Sequence, residues 1–117
     1  MLTAEVFIES QPNCIYDLIM FIFDESKRQA NLEKHGLDLA DAFLVYDSPN
    51  KITLHSPRNN EERQIDIALV EIMEVVLVLV YVERDQQIRV ISLRRASKQE
   101  RIRYAKFQQN QLEQSST

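Results

Sequence analysis

Glycine occurs once in the 117 residues, at Gly36, and cysteine once, at Cys14. A single glycine excludes a glycine-rich loop of the kind that cradles phosphates with its backbone. A single cysteine excludes an internal disulfide, and one lone thiol fits a reducing compartment better than secretion. Cys14 has no neighbouring cysteine or histidine in the sequence, so it reads as a small apolar residue. Long apolar runs are missing too. The longest, Val75–Val82, is the length of a strand and too short to span a bilayer. The first residues lack the basic start and apolar stretch of a signal peptide. Histidine appears only at positions 35 and 55, without the spacing of a metal-binding helix. These absences point to one cytoplasmic domain without a cofactor or a membrane anchor.

The charge is unevenly distributed. The formal net charge is −4, but Met1–Glu83 carries −9 and Arg84–Lys106 carries +6. A basic third therefore sits on an acidic body. Such a cluster suits a phosphate-bearing partner. It equally suits a solvated helix, or a patch that pairs with the chain's own acidic part.

Local signals divide the chain into elements. The segment "AEVFIES" has the composition of a short strand and "QPN" that of a turn. From Met20, "MFIF" predicts a strand. Asp24 then caps a helix over "ESKRQANLEKH", which stops at Gly36 in the left-handed conformation. In that helix Ala30 and Leu32 are expected to face inward, while Lys27, Asn31 and either Lys34 or His35 share a polar face. Asp38 caps a second helix, "LADAFLVYD", before the turn at Pro49. "KITLH", "RQIDIAL", "VVLVLVYVE" and "IRVISLR" read as successive strands, the third of them central. "RDQQ" is a hairpin turn. Ser97 and Glu100 form a capping box that opens a last helix to about Leu112, followed by a frayed tail over residues 113–117. The expected architecture is α+β, an antiparallel sheet of four to five strands with two N-terminal helices and one C-terminal helix. If the last strand stays regular, Arg89 and Arg95 share one face and Arg94 points to the other.

Two stretches carry a family resemblance. "FDESKRQANLEKHGLDLADAFLVYDSP", from Phe23, resembles the opening signature of the BrnT family of bacterial toxins. "VYVERDQQIRVISLRRASKQERIRY", ending at Tyr104, resembles its closing signature. Phe23 stands where the family usually has tryptophan, and "VEIME" replaces a turn that usually bears glycine. The resemblance implies a RelE-like fold over residues 20–112, with residues 1–19 an extension outside the family pattern. It also implies the toxin of a type II toxin–antitoxin pair, a ribonuclease that stops translation, held by a DNA-binding antitoxin. A homodimer and a toxin–antitoxin hetero-oligomer both remain open.

Lys27 and His35 match the opening signature; Glu83, Arg94 and Tyr104 match the closing one. Metal-independent RNA cleavage needs a base for the ribose 2′-OH, positive charge at the phosphoryl oxygens and an acid for the leaving oxygen. His35, Glu83 and Tyr104 are the candidates for proton transfer. Arg94 is the catalytic candidate for charge stabilisation, joined by Arg63 and Arg95. Lys27, Arg63, Arg89, Arg95 and Arg101 are candidates for binding RNA. The second reading is a catalytically inactive toxin-like module that binds an antitoxin or nucleic acid, and the acidic body favours it.

Overall fold

The computed structural model describes residues 3–9, 18–58 and 60–115. The turn expected at residues 11–13 and Cys14 lie outside the described residues. Ten elements follow in order: β1 (Thr3–Glu9), β2 (Leu18–Asp24), α1 (Glu25–His35), a 3-10 turn (Leu39–Ala42), α2 (Phe43–Tyr46), β3 (Ile52–Arg58), β4 (Glu61–Val70), β5 (Val75–Arg84), β6 (Gln87–Arg95) and α3 (Lys98–Ser115). The expected α+β class holds. The sheet has six strands in the order β1-β2-β6-β5-β4-β3. It is not antiparallel throughout: β2 runs parallel to β6 through Met20↔Gln87, Phe21↔Ile88 and Ile22↔Arg89. The reason is topological. β2 leads into α1, and the chain returns only after the β3–β6 meander, so the first and last strands of the unit meet in the same direction. β1 extends the sheet beyond β2, in register from Thr3↔Asp24 to Glu9↔Leu18. The last helix outlasts its expected end, running past Leu112 to Ser115.

The local signals do what their chemistry requires. The Asp24 carboxylate accepts from the Ser26 N–H at 2.8 Å and caps α1. Gly36 ends it at φ 69°, its N–H donating to Leu32 O at 2.9 Å. Asp38 accepts from Ala40 N–H at 2.9 Å. At the start of α3 the box is reciprocal: Ser97 N–H donates to Glu100 Oε1 at 2.8 Å, and Glu100 N–H to Ser97 Oγ at 3.2 Å. With glycine so scarce, other turns use side-chain-bearing residues at positive φ. Glu74 takes that position in the β4–β5 turn, and Asp85 and Gln86 both do in the β5–β6 hairpin.

Both faces of the sheet are covered. One core joins Phe21, Phe23, Leu39, Val45, Tyr81 and Leu93 beneath α1 and α2. The other joins Ile52, Ile67, Val78, Ala96 and Tyr104 beneath α3. The one buried residue of α1 is polar. Of the two residues expected to face inward, Ala30 is exposed and Leu32 half-buried, while Asn31 is buried. The Asn31 amide donates to Leu93 O and Leu37 O, both at 2.8 Å, and its carbonyl accepts from Leu93 N–H at 3.2 Å. Past the three residues paired with β2, the edge of β6 would otherwise leave its backbone groups unpaired. Asn31 closes that edge as a strand would. Asn31→Ala is therefore expected to cost about 2 kcal/mol, since buried donors and acceptors lose their partner. A urea melt that shows a lower midpoint at unchanged slope would show this. An unshifted midpoint would place the docking energy elsewhere.

Candidate active site

A bulge in β6 decides where the arginines point. Val90 pairs with Tyr81 and Ser92 with Val80, so Ile91 has no partner across the ladder. The extra residue reverses the alternation. Ile88, Val90 and Leu93 consequently all enter the same core. Arg89 and Arg94 thus share the α3 face, and Arg95 turns to the α1 face. This corrects the pairing of Arg89 with Arg95 expected for a regular strand.

The bulge and the Asn31 clamp bring three candidates together at the end of β6. Arg95 Nη1 donates to the backbone carbonyl of His35 at 3.1 Å. Arg94 forms a fork with Glu100 at 2.7 and 2.9 Å, so the helix cap also fixes the guanidinium. Arg94 lies close enough to His35 to act on its charge. The His35 pKa is lowered from 6.5, first by burial and then by the positive charges of Lys34 and Arg94. The imidazole is therefore neutral at neutral pH and able to accept a proton. A helix C-terminus alone would favour the charged form; burial and two cations outweigh it here.

The Arg94–Glu100 pair has a consequence for acid stability. Arg94 holds the Glu100 carboxyl down at about 2, from an ordinary 4.5. The folded pKa lies below the unfolded one, so this stabilisation is complete above the ordinary value and disappears as the pH falls toward the folded one. A Glu100→Gln variant is expected to lose that part of the acid dependence of Tm. The difference from wild type should be several degrees at pH 7, on the scale of roughly 1 kcal/mol, and should vanish near pH 2. Thermal melts at the two pH values compare the variants directly, and a constant difference would contradict the assignment.

The remaining candidates lie elsewhere. Glu83 pairs with Ile88 and Arg94 with Val78, which separates them by five residues of β5, or about 17 Å along the strand. Glu83 is exposed, and its Oε1 accepts from the Tyr46 hydroxyl at 2.8 Å. Tyr104 is 6% exposed in the core beneath α3. Its hydroxyl donates to Asn50 O at 3.0 Å, a carbonyl shared with Gln108 Nε2 at 2.8 Å. Arg101 is exposed on α3. Arg63 and Arg89 both approach Glu61, and Lys27 and Arg89 line an open groove with Asp24 and Ser26. Arg63 Nε is buried without a hydrogen-bond partner. So the nine candidates form one cluster around His35, Arg94 and Arg95, a second cationic group around Lys27, Arg63 and Arg89, and three residues outside both.

A third polar assembly centres on Lys51, Thr53 and Asp66, which lie between the two quoted motifs, and draws in Tyr46 and Tyr81 from within them. Asp66 is fully buried on β4. It accepts from Lys51 Nζ at 2.8 Å, Thr53 Oγ1 at 2.7 Å and the Tyr81 hydroxyl at 2.9 Å. Lys51 Nζ also lies 4.1 Å from the centre of the Tyr46 ring. Burial first, then neighbouring carboxylates, raises the pKa of both tyrosines, which stay protonated donors. No local signal marks it: Asp66 alternates with Ile65 and Ile67 along its strand, and only the tertiary structure covers both faces and buries the carboxylate.

A family model matches residues 23–100, two thirds of the chain, and describes a ribonuclease toxin, BrnT, of a type II toxin–antitoxin system. The chain belongs to the BrnT family. No curated protein matches it at a significant level. The BrnT match confirms the expected family. It also supplies, at the level of the family, ribonuclease activity, an RNA target and an antitoxin partner. His35, Arg94, Arg95 and Glu100 fall inside the BrnT match, whereas Arg101 and Tyr104 lie beyond it. Among the described residues, no group of three or more His, Cys, Asp or Glu side chains could hold a metal ion, and no helix is long and apolar enough to cross a membrane.

Proposed function

We propose that this BrnT-family chain cleaves RNA at the His35–Arg94–Arg95 cluster without a metal ion, and thereby inhibits translation in the cytoplasm until a DNA-binding antitoxin holds it. The observation that carries the reading is the meeting of His35 with both arginines: its partly buried imidazole feels the charge of Arg94, and its backbone carbonyl accepts from Arg95. His35 takes the proton from a ribose 2′-OH. The 2′-oxygen attacks the adjacent phosphorus and the P–O5′ bond breaks. The proton returns to the departing 5′-oxygen, which leaves a 2′,3′-cyclic phosphate and a 5′-hydroxyl. Arg94 and Arg95 offset the charge that grows on the phosphoryl oxygens. The cations Lys27, Arg63 and Arg89, at the other end of β6, hold neighbouring phosphates. The working domain in this reading is residues 20–112.

The inactive-module reading keeps one observation in its favour: Glu100 already engages Arg94 by a two-point bond. Incubating the purified chain with RNA in EDTA separates the two. Cleavage with cyclic phosphate ends, and none of DNA of the same sequence, supports the ribonuclease. Intact RNA after incubation with folded protein supports the module.

A further inference from the structure

We infer that the groove between α2 and the β4–β5 turn is the docking surface for an apolar segment of the antitoxin flanked by lysine or arginine. The inference rests on the reading of the chain as a toxin held by a protein antitoxin. Apolar surface is concentrated here. Ile72 is 86% exposed, Leu69 41% and Met73 38%. With Phe43, Leu44 and Pro49, two of them line a single open groove. Large apolar side chains held together in water at a turn mark a contact surface.

The groove also has a charge that selects its occupant. Asp47 and Glu71 line it, and Glu74 stands in the same turn. Among the described residues, no arginine, lysine or histidine lines it. Burial raises the pKa of Asp47, and the nearby charge of Lys51 only partly offsets that rise. An occupant with an apolar centre and basic flanks matches this rim. RNA does not, because a polyanion would meet two carboxylates. The protein that binds DNA and this toxin in turn is the partner whose chemistry fits.

Strand register places the groove beside the proposed site. β3 stops pairing at Ile52↔Ile67, so Ala68–Val70 of β4 have no strand on that side. β4 and β5 close at Val70↔Val75, and Leu77 pairs with Arg95. The turn and the His35–Arg94–Arg95 cluster are therefore at the same end of the sheet, one strand apart. A segment seated in the groove brings the body of the antitoxin over the cluster and blocks RNA.

The test uses the full chain, the purified antitoxin encoded with it, and the double variant Glu71→Lys with Ile72→Lys. Both side chains are exposed, so the fold is kept. Antitoxin affinity measured by calorimetry is expected to fall by about 30-fold or more, the loss typical of a central contact. The variant should cleave RNA at the wild-type rate and escape inhibition by the antitoxin. Unchanged affinity overturns the docking surface and leaves the ribonuclease reading intact. So does a wild-type dimer in light scattering that the variant dissolves, which would make the groove a contact between two copies. Failure of the wild-type chain to bind the antitoxin overturns both the surface and the partnership, while a cleavage assay without antitoxin still judges the enzyme by itself.

Discussion

Replacing His35 by glutamine is expected to lower the rate of RNA cleavage by about 10²–10⁴-fold, the usual contribution of a positioned general base. The fold should survive, because the tie between α1 and β6 does not use the imidazole. Arg95 donates to the backbone carbonyl of His35, and Asn31 supplies the buried contact one turn earlier. The pH profile separates catalysis from packing. Burial, Lys34 and Arg94 all lower the His35 pKa from 6.5, so the wild-type rate should climb with pH through a value below 6.5 and then level off. The glutamine variant should lose that acid limb. Removing the positive charge of Lys34, by Lys34→Gln, should shift the limb toward higher pH. Wild-type cleavage by a folded His35→Gln protein would falsify the assignment and turn attention to Glu83 or Tyr104.

The largest loss of stability is expected for Asp66→Ala, about 3–5 kcal/mol, because three donors lose one buried acceptor. Lys51 Nζ, Thr53 Oγ1 and the Tyr81 hydroxyl would all face the vacated space. For a domain of this size each kcal/mol lowers Tm by roughly 4 °C, so the melting point should fall by more than about ten degrees. Asp66→Asn keeps the shape and one acceptor and should lose less. A double-mutant cycle between Asp66→Asn and Lys51→Met measures how much of the effect belongs to the ion pair. A fall in Tm of only a few degrees for Asp66→Ala would mean that water replaces the carboxylate. The network matters beyond stability, since Lys51 also packs over the ring of Tyr46, and Tyr46 donates to Glu83.

Properties that depend on a few neighbouring residues are legible in the sequence. The caps at Asp24, Asp38 and Ser97 and the stop at Gly36 each rest on contacts within four positions, and each forms as expected; the apolar run of β5 is legible from its own composition. The two motifs placed the chain in its family for the same reason, and the basic third was visible as plain charge. Pairing across the sheet decided the rest. Strand alternation sends Arg89 and Arg95 to one face, but the register with β5 leaves Ile91 unpaired and sends them to opposite faces. Asn31 reads as part of a polar helix surface, yet the bare edge of β6 draws it into the core. Tyr104 stands near arginines in the sequence, but the packing of α3 over the loop at Asn50 takes its hydroxyl inward. Such choices depend on backbone groups dozens of residues away that need partners once buried. No local pattern records that need, which is why the tertiary structure alone could bring His35, Arg94 and Arg95 to one place.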